Sequence, residues 1–146
     1  MYQKVLVPLD GSELAECALS HVRSLVTEGP AREVTLLHIV DINLPGSEVD
    51  LNALRKPAFA AATKYLAEMK SRLLPAGVTV KTKALEAKWT ASTITEYAQQ
   101  NNIDLIVMST HGYTGLKKTL LGSVASGVLN QSSVPVLLIR PDACQL

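Results

Sequence analysis

Ile103-Asp104-Leu105-Ile106-Val107-Met108-Ser109-Thr110-His111-Gly112 is the stretch that decides the class of fold. Its aliphatic run, residues 103–108, has almost no polar alternation, which is how a strand covered on both faces of a parallel sheet reads. It stops in small polar residues and a glycine. A helical pattern then starts near Gly122-Ser123 and continues through Val124, Val128 and Leu129 to Gln131.

The same sequence of events recurs on either side. The aliphatic runs at residues 5–7, 34–40 and 134–139 also lack alternation, whereas Val78-Thr79-Val80-Lys81-Thr82-Lys83 opens a fifth run, 78–85, that does alternate. That pattern fits an edge strand with one wetter face and lysines blunting the edge. Between the runs lie helical stripes. The first places Leu14, Cys17, Ala18, His21, Val22 and Leu25 at steps of three and four behind Ser12, a candidate N-cap with Glu13 and Glu16 in the first turn. The second should run from Asn52 or Pro57 to Leu74 and stop at Pro75-Ala76-Gly77. A third runs from near Thr90 to Asn101-Asn102 with Ile94, Tyr97 and Ala98 inward. Residues 41–50, which include Pro45-Gly46, read as a mobile loop. Strand and helix alternate throughout, so the class is α/β with a mostly parallel sheet and right-handed crossovers. At 146 residues the chain is expected to form a single domain, 1–146.

Composition narrows the function. The chain is 47% hydrophobic and 18% charged, and 14 basic residues nearly cancel 13 acidic ones to leave a net charge of +1. Such a balance offers no global field for nucleic acid or an anionic membrane. With one tryptophan, four tyrosines and one phenylalanine, there is little aromatic surface for stacking single-stranded bases. Cys17 and Cys144 form no C-x-x-C, so neither a zinc site nor a disulfide scaffold is expected. The apolar run after Met1 is too quickly broken by Pro8 and Asp10 to read as a signal peptide or a membrane span. The expectation is a cytoplasmic domain that binds neither nucleic acid nor membrane.

In a doubly wound sheet, ligands bind beyond the carboxyl ends of the strands, where strand order reverses. Two strand ends carry suggestive residues: Pro8-Leu9-Asp10-Gly11-Ser12 and Met108 to Gly112. The second continues into a loop with glycines, the basic pair Lys117-Lys118 and a hydroxyl, Ser123, at a helix start. That chemistry suits a phosphate. Residues 112–119, G-Y-T-G-L-K-K-T, do not make a Walker loop, because Lys117 stands where that motif needs its second glycine. Asp10-Gly11-Ser12 likewise does not supply the dinucleotide fingerprint G-x-G-x-x-G.

Together, V-L-V-P-L-D-G-S at residues 5–12, M-S-T-H-G-Y-T-G-L-K-K-T-L-L-G-S-V-A-S at 108–126 and S-V-P-V-L-L-I-R at 133–140 resemble the universal stress protein family, over the span from Lys4 to Pro141. The resemblance implies an open, doubly wound, five-stranded parallel sheet in order 3-2-1-4-5 with helices on both faces. It also implies the pattern G-x-x-G-x9-G-[ST] of the family's ATP-binding members. Gly112 is its second glycine, residues 113–121 are the spacer, and Gly122-Ser123 closes it. Ser109 replaces the first glycine. A small side chain is tolerable there provided the backbone stays in the β region, as expected at a strand end.

Carried over position by position, the resemblance gives Asp10 the ribose hydroxyls and the backbone around Ile39 the adenine edge. Pro8 and Met108 would pack nearby, and Ser109 would lie beside ribose or phosphate. Gly112, Gly122, Ser123 and Val124 would hold the phosphates of ATP or another adenine nucleotide. Mg²⁺ would bridge phosphate oxygens rather than need a protein cage.

Plainer readings stand beside these. Asp10 can close the turn with Ser12, His38 and His21 read as core histidines, His111 can steady a turn, Met108 can be core, and Lys117-Lys118 can be a solvated loop end. Strand three ends in Leu85-Glu86-Ala87-Lys88, without the acceptor aspartate of a phospho-receiver domain, and the S-G-G-x-D-[ST] of an ATP pyrophosphatase is absent. No nucleophile elbow or carboxylate pair marks the proposed site, so the chain is read as a binding module and at most a slow ATPase. The expectation is an ATP-binding regulatory module that forms a homodimer through Val134–Ile139 and acts on an unidentified protein partner. The alternative is a family member that binds no nucleotide and serves as an interaction module.

Overall fold

The computed structural model of the protein describes residues 2–41, 51–73, 77–111 and 121–140. Its elements alternate as β1 (Lys4–Pro8), α1 (Glu13–Glu16), α2 (Ala18–Thr27), β2 (Glu33–Val40), α3 (Leu51–Arg72), β3 (Thr79–Glu86), α4 (Thr90–Gln100), β4 (Leu105–Ser109), α5 (Ser123–Gln131) and β5 (Val136–Ile139). The strands form one five-stranded sheet in order β3-β2-β1-β4-β5, and every pairing is parallel. Val5 of β1 is level with Val34 of β2 and with Leu105 of β4. The order expected from the resemblance is therefore the order observed.

The absence of polar alternation has a simple cause, for each central strand is covered on both faces. Val5 and Val7 join Val34, Leu36, Leu105 and Val107 on the face packed by α2 and α3, through Val22, Leu66 and Met69. Leu6 joins Leu37, Ile106 and Met108 on the opposite face, under Ile94 and Ala98 of α4 and Ala125 and Val128 of α5. Val5, Leu6 and Val7 are wholly buried, worth roughly 1.5–3 kcal/mol each in transfer free energy. The expected wet edge is observed at β3, where Lys81 and Lys83 are exposed and Lys81 pairs with Glu33 at 3.2 Å.

Helices α4 and α5 touch closely. A Cβ added at Gly127 would fall 2.6 Å from the Ala91 Cβ, so glycine here sets how near the two axes come, and both helix starts are brought to the same end of the sheet.

Element ends depart from expectation where local chemistry intervenes. The helix expected from Ser12 through Leu25 is divided at Cys17 into α1 and α2. Cys17 is disulfide-bonded, although the sequence reading looked for no disulfide scaffold. Helix α3 begins at Leu51, so Pro57 lies inside it and removes the N–H that would have bonded the Ala53 carbonyl. It ends at Arg72, two residues short of Leu74, and Gly77 follows at φ +92°. Strand β4 begins at Leu105 rather than Ile103. The Ile103 N–H closes α4 on the Ala98 carbonyl at 3.0 Å, and Asn102 takes the left-handed position at φ +54°. Strand β5 begins at Val136 rather than Val134, since Ser132 binds both the N–H and the carbonyl of Val134 in a tight turn. The loop read at 41–50 falls, beyond Asp41, outside the described residues.

Candidate functional site

Strand order reverses in the sheet between β1 and β4, whose following helices leave to opposite faces. A crevice must open at their carboxyl ends. There the structure holds a cavity of about 240 Å³.

One wall comes from β1. The ladder extends one residue beyond the strand, with the Leu9 N–H donating to the Leu37 carbonyl at 2.8 Å. The chain then turns at Gly11, φ +88°, a conformation that favours glycine. Asp10 Oδ1 accepts from the Ser12 N–H at 2.9 Å and from the Ser12 hydroxyl. Ser12 Oγ in turn accepts from the Ala15 N–H at 3.1 Å, capping α1 as its sequence suggests. The plain reading of Asp10 is thus observed, and the same residue also lines the cavity.

The other wall comes from β4 and α5. Ser109 is buried, 7% exposed, and its hydroxyl donates to the His111 carbonyl at 2.7 Å. Its φ is not positive, the described residues with positive φ being Gly11, Gly77 and Asn102, so a Cβ costs no backbone strain there. Thr110 is a junction. Its N–H donates to the Ile139 carbonyl at 2.9 Å, its carbonyl accepts from the Gly122 N–H at 2.7 Å, and its Oγ1 lies 2.9 Å from His111 Nδ1. Gly122 is the N-cap of α5 in an extended conformation and makes no side-chain capping bond. Glycine at 122 permits a close approach: a Cβ there would sit 3.1 Å from the Thr110 carbonyl oxygen, a tight contact that would make the neighbouring backbone give by a few tenths of an ångström.

Pro8, Asp10, Ile39, Met108, Ser109, Gly122, Ser123 and Val124, all picked from sequence, line this single cavity. Gly112 and Lys117-Lys118 lie outside the described residues. Sequence reading missed Thr90 and Ile94, which α4 brings to the lining, and Thr110, adjacent to the motif positions. His111 also lines it, while His38 does the core work foreseen, its Nδ1 bonding the Leu9 carbonyl at 2.7 Å. The lining is apolar at Leu37, Ile39, Ile94 and Met108 and polar at Asp10, Ser109, Gly122 and Ser123. That division suits a flat apolar group carrying a polar, anionic tail.

On α3, Tyr65 stands edge-on to His38, with 5.7 Å between ring centroids. Burial pushes its phenol pKa well up, the charges of Glu16 and Asp10 push it further, and the Gly11 N–H and Arg72 pull the other way. Tyr65 therefore stays protonated throughout the physiological range. Among the described residues, no group of three or more His, Cys, Asp or Glu side chains could hold a metal ion, and no helix is long and apolar enough to cross a membrane.

Residues 1–140 match the universal stress protein family. The chain is 33% identical over 158 aligned positions to the universal stress protein MJ0577 of Methanocaldococcus jannaschii, covering 96% of each. Against the solved structure of MJ0577 the TM-score is 0.84, at 36% identity and again 96% of both chains. The same fold recurs in a universal stress protein in complex with cAMP, at TM-score 0.71, 22% identity and coverage of 95% and 97%. It recurs also in an Arabidopsis thaliana family protein with AMP bound, at TM-score 0.66, 18% identity and coverage of 94% and 91%.

Proposed function

The chain belongs to the universal stress protein family, and from that premise we infer that its cavity takes an adenine nucleotide, ATP with Mg²⁺ in particular, in a cytoplasmic regulatory module. The observation that carries this reading is the start of α5. Its N-cap has no side-chain partner and no acid stands in its first turn, so backbone N–H groups and the positive end of the helix border a cavity lined in part by apolar side chains. The adenine would lie on Ile39 and Met108, the ribose near Asp10 and Ser109, and the phosphates over Gly122, Ser123 and Val124, with Gly112 completing the motif. Mg²⁺ would be carried by phosphate oxygens, as fits a cavity lined, among the described residues, by the one carboxylate of Asp10. The two distant relatives of this fold with cAMP and AMP lend support, for their own part, to adenine as the base.

Asp10 is already engaged with Ser12 and is, among the described residues, the one carboxylate on the cavity lining, so the role is read as binding and switching, with hydrolysis slow at most. The rival reading, a module that has lost its nucleotide site at Ser109, gains nothing from the geometry. The Ser109 hydroxyl turns to the His111 carbonyl and its backbone needs no glycine. Equilibrium dialysis against ATP and Mg²⁺ tests the reading: saturable binding of one nucleotide per chain is expected, and no retention at millimolar ATP would overturn it.

The module would work as a homodimer, its β5 edge pairing with the same edge of a second copy, and would signal to a protein partner. Leu137 of β5 and Leu129 of α5 are 40% and 50% exposed, and an aliphatic edge left open invites association. Sedimentation equilibrium at micromolar concentration should give twice the chain mass; a monomer there would remove this part of the proposal.

A further inference from the structure

Strand β2 runs further toward the cavity than its pairing with β1. Its register with β3 continues to Val40↔Glu86, whereas its register with β1 stops at Pro8↔Leu37. Alternate residues of β2 turn their N–H groups to β1, beginning with Glu33, which donates to the Gln3 carbonyl at 3.0 Å. The last rung is the Leu9 N–H on the Leu37 carbonyl at 2.8 Å. In a parallel ladder the next would run from the Ile39 N–H to the Leu9 carbonyl. That carbonyl is taken instead by a side chain, for His38 Nδ1 stands 2.7 Å from it. A carbonyl oxygen only accepts, so Nδ1 carries the proton. The imidazole lies on the α3 face of the sheet, edge-on to Tyr65, and does not line the cavity, whereas Leu9, Leu37 and Ile39 all do.

We propose that His38 is a positioning residue of the nucleotide site: by holding the Leu9 carbonyl from the far face of the sheet, it ends the β1–β2 ladder one rung early and keeps the Ile39 N–H for a ligand in the cavity. This rests on the nucleotide reading given above. A completed rung would consume that donor inside the sheet. Kept out of the ladder, it suits an acceptor atom on the edge of an aromatic ring that lies against Leu37, Ile39 and Met108. The same hydrogen bond fixes the peptide that leads into Asp10, so one imidazole sets two parts of the cavity without touching what binds there.

His38→Leu removes the donor, and His38→Asn restores one, since the asparagine amide nitrogen falls close to the place of Nδ1. Affinity for ATP–Mg²⁺, measured by calorimetric titration, should fall roughly five- to tenfold in His38→Leu, about the worth of one ordinary hydrogen bond. His38→Asn should stay within about threefold of the unmodified protein. Equal losses in the two variants would assign the effect to packing and overturn the inference. Amide hydrogen exchange reads the rung itself, before any ligand is added. In the unmodified protein the Ile39 amide should exchange about tenfold or more faster than the Leu37 amide, and should slow on saturation with ATP. In His38→Leu it should be slow from the start, because the released Leu9 carbonyl can accept it. An Ile39 amide already protected in the ligand-free unmodified protein, or an undiminished affinity in His38→Leu, would overturn the inference alone. Failure of the unmodified protein to bind ATP would overturn the nucleotide reading and this inference with it.

Discussion

The β1–α1 and β4–α5 junctions meet at one cavity, end their strands in the same crevice, and start their helices in opposite ways. At the first, Asp10 takes the Ser12 N–H, Ser12 takes the Ala15 N–H, Glu13 and Glu16 stand in the first turn, and Arg72 holds Glu16 at 3.0 Å. The positive end of α1 is answered from within the chain. At the second, Gly122 offers no side chain, the first turn has no acid, and the Thr110 carbonyl takes the Gly122 N–H at 2.7 Å. In the proposed site the N–H groups that follow are those that would meet the phosphates. A helix start that satisfies itself is architecture; one that does not, beside a cavity, is where ligand chemistry belongs.

The largest effect should come from Gly122→Val. Its branched side chain meets backbone at 3.1 Å and cannot be relieved by a rotamer change, so ATP affinity should fall by about 100-fold or more, which is roughly 2.7 kcal/mol. Calorimetric titration reads this, with far-UV circular dichroism confirming the fold. Asp10→Ala sharpens the comparison, since it removes both the expected ribose contact and the turn. Affinity should drop roughly tenfold and the empty protein should lose about 1 kcal/mol of stability, read from denaturant melts with and without nucleotide. Ser12→Ala separates the junctions outright. Loss of the α1 cap should cost about 1 kcal/mol while ATP affinity stays within about twofold, and a large loss of affinity would mean that α1 too serves the ligand. The smallest effect is expected for Ser109→Gly, which restores the family's glycine. Affinity should change by less than about threefold, with stability lower by about 0.5–1 kcal/mol for glycine in a strand.

Sequence conveyed much of this because the sheet is covered on both faces. Double coverage demands continuous aliphatic strands, and the sole alternating one, around Lys81 and Lys83, is the wet edge. Strand order came from the family resemblance rather than from any local pattern, as order depends on crossovers that no single segment encodes. The eight described positions that line the cavity came from the family resemblance, which agreed with the topological argument at the ends of β1 and β4; Ile39, on β2, came from the resemblance alone. Thr90 and Ile94 were not legible, since only the α4 crossover, held close to α5 by the Gly127–Ala91 contact, brings them to the cavity. Element ends slipped where a side chain outbid the apolar pattern: Ser132 turns the chain before β5, and Asn102 ends α4 two residues before β4 can begin.

The central claim, that the α5 start and the crevice above it form an adenine-nucleotide site, is tested most directly by thermal melts with and without ATP–Mg²⁺. At a nucleotide concentration about 100 times Kd, binding should add roughly 2.7 kcal/mol, which for a chain of this size raises the melting temperature by roughly 5–10 °C. Gly122→Val, melted against its own nucleotide-free reference, should show no shift. A flat response from the unmodified protein at millimolar ATP, or an undiminished shift in Gly122→Val, would contradict the account.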